Sequence, residues 1–232
     1  MQRLLSWIAG CMLITSFAQA DDNPVVIELY TSQGCSSCPS ADALLHDLAE
    51  QDGVVALAMH VDYWDYIGWK DSFANPEHTK RQRSYARAAG SRMIYTPQMV
   101  IHGQDHVIGN RPRDVVDVIN HHRAIPPSVS LDAKRDGDMV SIQAERTNNS
   151  TNPLIVQLLR YRPASTVDIK RGENAGRTLS YANVVTEINV LTVWEGSEPL
   201  LLDTSATGDE PVVVLIQGQQ GSGAVHAVAL LD

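Results

Sequence analysis

Two cysteines three residues apart, Cys35 and Cys38, lie in the run VVIELYTSQGCSSCPSADALLHDLAE (25–50), where an apolar strand pattern passes through Gly34 into an amphipathic helix. A thiol at the start of a helix meets backbone N–H groups that lack intrahelical partners, and these favour its negative form. The thiolate is the species that attacks disulfides and the one that binds soft metals. A bridge between residues so close in sequence closes too small a loop to staple a domain. The pair is therefore expected to do redox chemistry, with Cys35 as the more exposed, more easily ionised sulfur and the nucleophile. Cys38, one helical turn later, is the buried thiol expected to resolve a mixed disulfide. Two alternatives stay open: Cu(I) binding by paired thiolates, with Met93 and Met99 as nearby thioethers, and a non-catalytic binding protein.

Alternating patterns must position that pair. Residues 25–30 and 54–61 read as buried strands. Residues 39–51, 76–89 and 112–123 read as helices, each opened by a proline, and Gly90 stops the second. Residues 99–102 and 106–108 read as a hairpin around Gly103-Gln104-Asp105. Beyond Pro126-Pro127 the helix signals cease. Residues 128–133 and 139–146 flank Asp136-Gly137 as a hairpin. Segments 154–162, 166–170, 190–194, 200–203, 212–217 and 224–231 are further strand candidates.

The first 20 residues have the form of a secretory leader: Arg3, an apolar stretch to Phe17, then Ala18-Gln19-Ala20. Cleavage after Ala20 would deliver the chain to the periplasm or the medium, where disulfides persist. Ile8-Ala9-Gly10-Cys11 gives a rival reading, a lipoprotein box with Cys11 as anchor. No stretch is long and apolar enough for a membrane span. With 18 Lys and Arg against 27 Asp and Glu, the chain has no general attraction for nucleic acid or anionic membranes.

Three features together carry a resemblance: Cys35-Ser36-Ser37-Cys38 after the first strand, Thr96-Pro97 before the hairpin, and a closing helix. On these the N-terminal half resembles the thioredoxin superfamily, and LYTSQGCSSC resembles the glutaredoxin entry sequence. The strings ELYTSQGCSSCPSAD, HVDYWDYIGWKD, RQRSYARA, YTPQMVIHG and RGENAGRTLSYANVV are similar, over nearly the whole chain, to a family of bacterial exported proteins known only as a domain of unknown function. The resemblance implies an α/β thioredoxin-like domain over 21–127, followed by an all-β sandwich-like domain over 128–232. It implies a cis Pro97 facing the sulfurs, with Thr96 offering its backbone to an extended substrate. It also implies a carboxylate beneath Cys38. Glu28, one residue early for that place, is the candidate, with a raised pKa and a proton-accepting role. Gly34 and Ser36-Ser37 depart from the superfamily pattern, so potential and partner class do not carry over.

The segment Tyr63-Trp64-Asp65-Tyr66-Ile67-Gly68-Trp69 follows the second strand, and Tyr63, Trp64, Tyr66 and Trp69 are the expected partner-binding aromatics, with Trp69 the most buried. Lys80, Arg81, Arg83, Arg87 and Arg92 make a basic stretch, either a solvated face or an anion site. The histidines show no zinc spacing. The loop 171–177 (RGENAGR) reads by default as a solvent turn, with docking onto the redox half or recognition of a partner as the alternatives. No cofactor beyond a redox-active Cys35–Cys38 disulfide is called for, and the expected partner is a protein or a small thiol or disulfide.

Overall fold

A computed structural model describes residues 23–218 and 223–231. The expected leader (1–20) and the alternative at Cys11 lie outside the described residues.

Among the described residues, eleven strands and three α-helices follow one another as β1 (Val25–Thr31), α1 (Pro39–Ala49), β2 (Val54–His60), α2 (Pro76–Ala88), β3 (Gln98–Ile101), β4 (Asp105–Ile108), α3 (Pro112–Arg123), β5 (Val129–Asp136), β6 (Met139–Arg146), β7 (Leu154–Asp168), β8 (Thr178–Trp194), β9 (Leu200–Ser205), β10 (Val212–Gly218) and β11 (Val225–Leu231). Each helix opens on proline, whose missing N–H costs nothing in the first turn. Asn75 caps α2 by accepting from the Glu77 N–H at 3.0 Å. That helix ends in a Schellman turn, with Gly90 at φ +71° and Ser91 N–H donating to the Ala86 carbonyl at 2.8 Å.

The fold class differs from the expectation of an α/β layer followed by a separate sandwich. One mixed sheet runs β11-β10-β7-β8-β2-β1-β3-β4 through both halves of the chain, and a three-stranded sheet, β5-β6-β9, stands apart from it. The open edge of β2 is taken by β8, parallel, through Ala58 and Val184. Beside this contact Asn183, at φ +48°, donates from Nδ2 to the Ala56 carbonyl at 2.8 Å. The expected short strands 166–170 and 190–194 fall largely within β7 and β8. These form one long antiparallel hairpin with register shifts at Val156/Gln157 and Arg160/Tyr161. Both shifts skip a residue of β8, Leu191 and Thr186, so the alternation breaks along β8, whereas β7 alternates through them, with Leu154, Val156 and Leu158 on one face and Leu159 and Tyr161 on the other.

Alternation along β1 decides what each face carries. Val25, Ile27 and Leu29 pack with Ala41, Leu45 and Leu48 of α1 and Val115 and Ile119 of α3. Val26 and Tyr30 face the other way, towards Tyr85 of α2 and Leu159, Val213 and Leu215. The small sheet packs its Val129, Val140 and Ile142 against Val156, Val212 and Ile216.

Candidate functional site

Beyond β1 the chain turns tightly. Cys35 N–H donates to the Ser32 carbonyl at 3.1 Å, Gly34 N–H to Ser32 Oγ at 3.1 Å, and Cys38 N–H to the Cys35 carbonyl at 3.2 Å. Cys38 is the N-cap of α1, and Ala41 and Asp42 donate their N–H groups to its carbonyl at 2.8 and 3.0 Å. Cys35 and Cys38 are joined by a disulfide, with Cα atoms 5.4 Å apart. Both sulfurs thus precede the first helical residue, rather than one lying a turn inside. Cys35, expected as the more exposed sulfur, is 1 % exposed and Cys38 0 %, so both are buried. What reaches solvent is Ser36 and Ser37 between them, with Ser37 Oγ 3.4 Å from Cys35 Sγ.

The cover over the pair comes from two loops. A side chain at Gly34 would meet the Trp64 Cβ and Ile67 Cδ1 at 3.3 Å, so these two residues lie over the backbone beside Cys35. Trp64 Nε1 donates to Thr96 Oγ1 at 2.7 Å, and the following Thr96–Pro97 bond is cis. Pro97 and Ala41 of α1 both crowd the open side of Gly109, each with its Cβ 3.2 Å from where a Cβ there would stand. Pro97 therefore borders the first turn of α1. Trp69 Nε1 donates to Gln33 Oε1 at 2.8 Å. Of the four aromatics, Trp64 and Trp69 join the site. Tyr63 turns away to donate to Gln82 Oε1 at 3.2 Å, and Tyr66 stands 81 % exposed.

The loop 171–177 docks onto this assembly. Asn174, 1 % exposed, donates from Nδ2 to the carbonyls of Gln33 and Cys35, both at 3.0 Å. Its Oδ1 accepts from Arg177 at 3.1 Å. Gly172 sits at φ +78° with its open side 3.2 Å from Trp69 Cβ, a place that admits no side chain. The sequence offered docking as one of three readings, and no residue type in RGENAGR distinguishes them.

Glu28 is not beneath Cys38. It projects from the α2 face of the sheet, where Oε2 accepts from Arg81 Nε at 2.7 Å and Tyr30 Oη at 2.8 Å. Its Oε1 accepts from Arg81 Nη2 and Tyr85 Oη, both at 2.7 Å. Burial pushes this carboxyl's pKa up, but the Arg81 guanidinium and the three donors outweigh it and hold it below its ordinary value. The expected raised pKa is thereby reversed. Arg81 also leaves the basic stretch. It is buried, and donates onward to Gln157 and Gln217, while Lys80, Arg83, Arg87 and Arg92 are exposed.

The carboxylate that does lie on the α1 face is Asp42, in the first turn of that helix. Its Oδ1 accepts from Thr31 Oγ1 at 2.7 Å, and burial raises its pKa to about 7. Nearby, His60 Nδ1 pairs with Asp71 Oδ2 at 2.7 Å, and the His60 ring stands edge-on to Tyr181, centroids 4.7 Å apart. Burial pushes the Asp71 carboxyl up, but His60 and the N–H groups of Gln33 and Phe73 hold it low. Asp42 was missed because an acidic residue in a helix's first turn is ordinary dipole matching. Its period with Cys38, four residues on, was the available signal.

Met99 is a core residue of β3, paired with Leu29 of β1, and Met93 is exposed, so the two do not share a site. Among the described residues no group of three or more His, Cys, Asp or Glu is gathered as for a metal ion. No helix among the described residues is long and apolar enough to cross a membrane.

Residues 26–217 match the family model described as Protein of unknown function (DUF1223). A crystal structure of an Agrobacterium tumefaciens protein, a structural-genomics target, is similar at 33 % identity and TM-score 0.75, over 89 % of this chain and 93 % of that one. No curated protein matches.

Proposed function

The chain belongs to the DUF1223 family of proteins of unknown function, and on that premise we propose that it is an exported thiol–disulfide oxidoreductase. The observation that supports this reading is the disulfide at the junction of β1 and α1, with Trp64 and Ile67 over the adjoining Gly34, Trp64 bonded to Thr96, and Pro97 near Ala41 in the first turn of α1. That constellation resembles a thioredoxin-type centre although the sheet that carries it does not. A partner thiolate attacks Cys35 Sγ, approaching over Ser36 and Ser37. The Trp64 and Ile67 side chains must lift from Gly34 to admit it. The exposed ring of Tyr66 and the half-buried ring of Trp64 give a protein partner an apolar foothold. Trp69 is a strut for the Gln33 turn. Cys38 leaves, and later resolves the mixed disulfide.

Burial of both sulfurs favours a second reading, a structural disulfide in a non-catalytic binding protein. Equilibration of residues 21–232 in glutathione buffers separates the two. The oxidoreductase reading expects exchange with glutathione within the buffer range and a mixed disulfide on Cys35 in the Cys38→Ser variant. A potential below about −300 mV with no mixed disulfide would overturn it in favour of the structural bond.

A further inference from the structure

When the disulfide is opened, the electron pair of the broken S–S bond stays on Cys38 Sγ. That sulfur is fully buried, and a thiolate stripped of water in an apolar site is costly. A proton must reach it from within the fold. Cys38 and Asp42 are four residues apart at the start of α1, linked by the Asp42 N–H to Cys38 carbonyl bond of 3.0 Å, and both are buried on the same helix face. Side chains at that spacing are neighbours, about 5–6 Å between Cβ atoms. Asp42 Oδ1 is occupied by Thr31, whereas Oδ2 is buried with no protein hydrogen-bond partner among the described residues. Two further buried atoms in the same cluster share that condition: His60 Nε2 and Tyr181 Oη.

We propose that Asp42 is the proton store for the Cys38 sulfur, giving a proton when Cys38 leaves and taking it back when Cys38 attacks. This rests on the exchange reading above. The step balances as follows. An external thiolate RS⁻ forms a bond to Cys35 Sγ, the Cys35–Cys38 bond breaks, and the electron pair on Cys38 Sγ takes the proton from Asp42 Oδ2. A second thiolate attacks the R sulfur of the mixed disulfide, releasing RSSR and a Cys35 thiolate. The two external thiols are oxidised and the protein disulfide is reduced by two electrons.

The groups facing Asp42 set its proton affinity. Thr31 on β1 and His60 on β2 favour the charged form, and Asp71 in the loop after β2 opposes it. Tyr181 on β8 feels both carboxylates and Arg177. His46 lies one turn further along α1. Together with burial, these bring Asp42 to about 7, where it can both give and take a proton at neutral pH.

The experiment measures the rate of disulfide reduction by dithiothreitol in residues 21–232 from pH 5 to 9, divided by the concentration of reductant thiolate. The wild type is expected to lose rate as pH rises through about 7. Asp42→Asn, which keeps an acceptor for Thr31, is expected to be slower by about 100-fold below pH 6 and to lose that inflection. Thr31→Val keeps the carboxyl and removes only its hydrogen bond, so the inflection should move up. An unchanged profile in Asp42→Asn, or an unmoved inflection in Thr31→Val, overturns the proposal while leaving exchange intact. A wild-type disulfide that dithiothreitol does not open removes the exchange reading itself.

Discussion

Replacing Glu28 by Gln tests the reassignment of that residue from redox partner to core ion pair. The carboxylate accepts four hydrogen bonds in a site closed to solvent, two from Arg81 and one each from Tyr30 and Tyr85. An amide offers one oxygen and points an NH2 at the other two donors, so two of the four bonds are lost. At about 1.5–3 kcal/mol for each bond to a charged group, the loss is about 3–6 kcal/mol. That agrees with the ~3–5 kcal/mol seen when one partner of a buried pair is removed. The expected result in urea melts at pH 7 is a midpoint shift of that size with unchanged slope. The sign with pH follows from the depressed pKa of Glu28. Its contribution is fully present above the unfolded carboxylate value and is lost as pH falls through the lower folded value. The gap between wild type and Glu28→Gln should therefore narrow in acid. Thiol exchange, normalised to folded protein, should be unaffected. A gap under about 1 kcal/mol, a gap that is constant down to pH 3, or a collapse of exchange would refute this placement.

Three further outcomes are expected. Asn174→Ala removes two buried donors to the Gln33 and Cys35 carbonyls and should cost about 1–3 kcal/mol in denaturant melts, with faster attack of dithiothreitol on the disulfide; an unchanged rate would mean the loop does not guard the pair. Trp64→Phe deletes the bond to Thr96, worth about 0.5–1.5 kcal/mol, and trims the packed ring, and should speed reduction by about 2- to 10-fold or more if the ring must lift. His78 is buried with its pKa depressed to about 4, so the unfolded chain binds its proton first; stability should be full above about pH 6.5 and fall by up to ~1.4 kcal/mol per pH unit towards pH 4. His78→Asn should flatten part of that slope, the remainder belonging to groups such as His102, held to about 4 by burial, and an unaltered slope would count against it.

Local signals in the sequence carried the first half of the chain well. Pro39, Pro76 and Pro112 mark the helix starts, Gly90 marks an end, and the β3–β4 and β5–β6 hairpins fall where their turn residues stand. The joining of the halves was not legible. β8 is bulged at two places and interrupted by the left-handed Asn183, so it keeps no single period along its length. Nothing local in Ala58 announces that its outer neighbour is Val184, more than a hundred residues away. At the site, the pair and its flanking Pro97 were readable as a motif, but the face taken by Glu28 was not. Ile27 and Leu29 are buried in one core and Val26 and Tyr30 in another, so β1 is apolar on both sides and its pattern cannot orient a carboxylate. Asn174 reaches the sulfur loop only through tertiary docking.

That docking has a consequence for how the protein is made. Asn174 follows Cys35 by 139 residues, and at ~5–20 residues per second a ribosome needs about 7–28 s to produce that interval. Until then the carbonyls of Gln33 and Cys35 have no amide closing over them. Through that interval the turn is held by its own short bonds among Ser32, Gly34, Cys35 and Cys38.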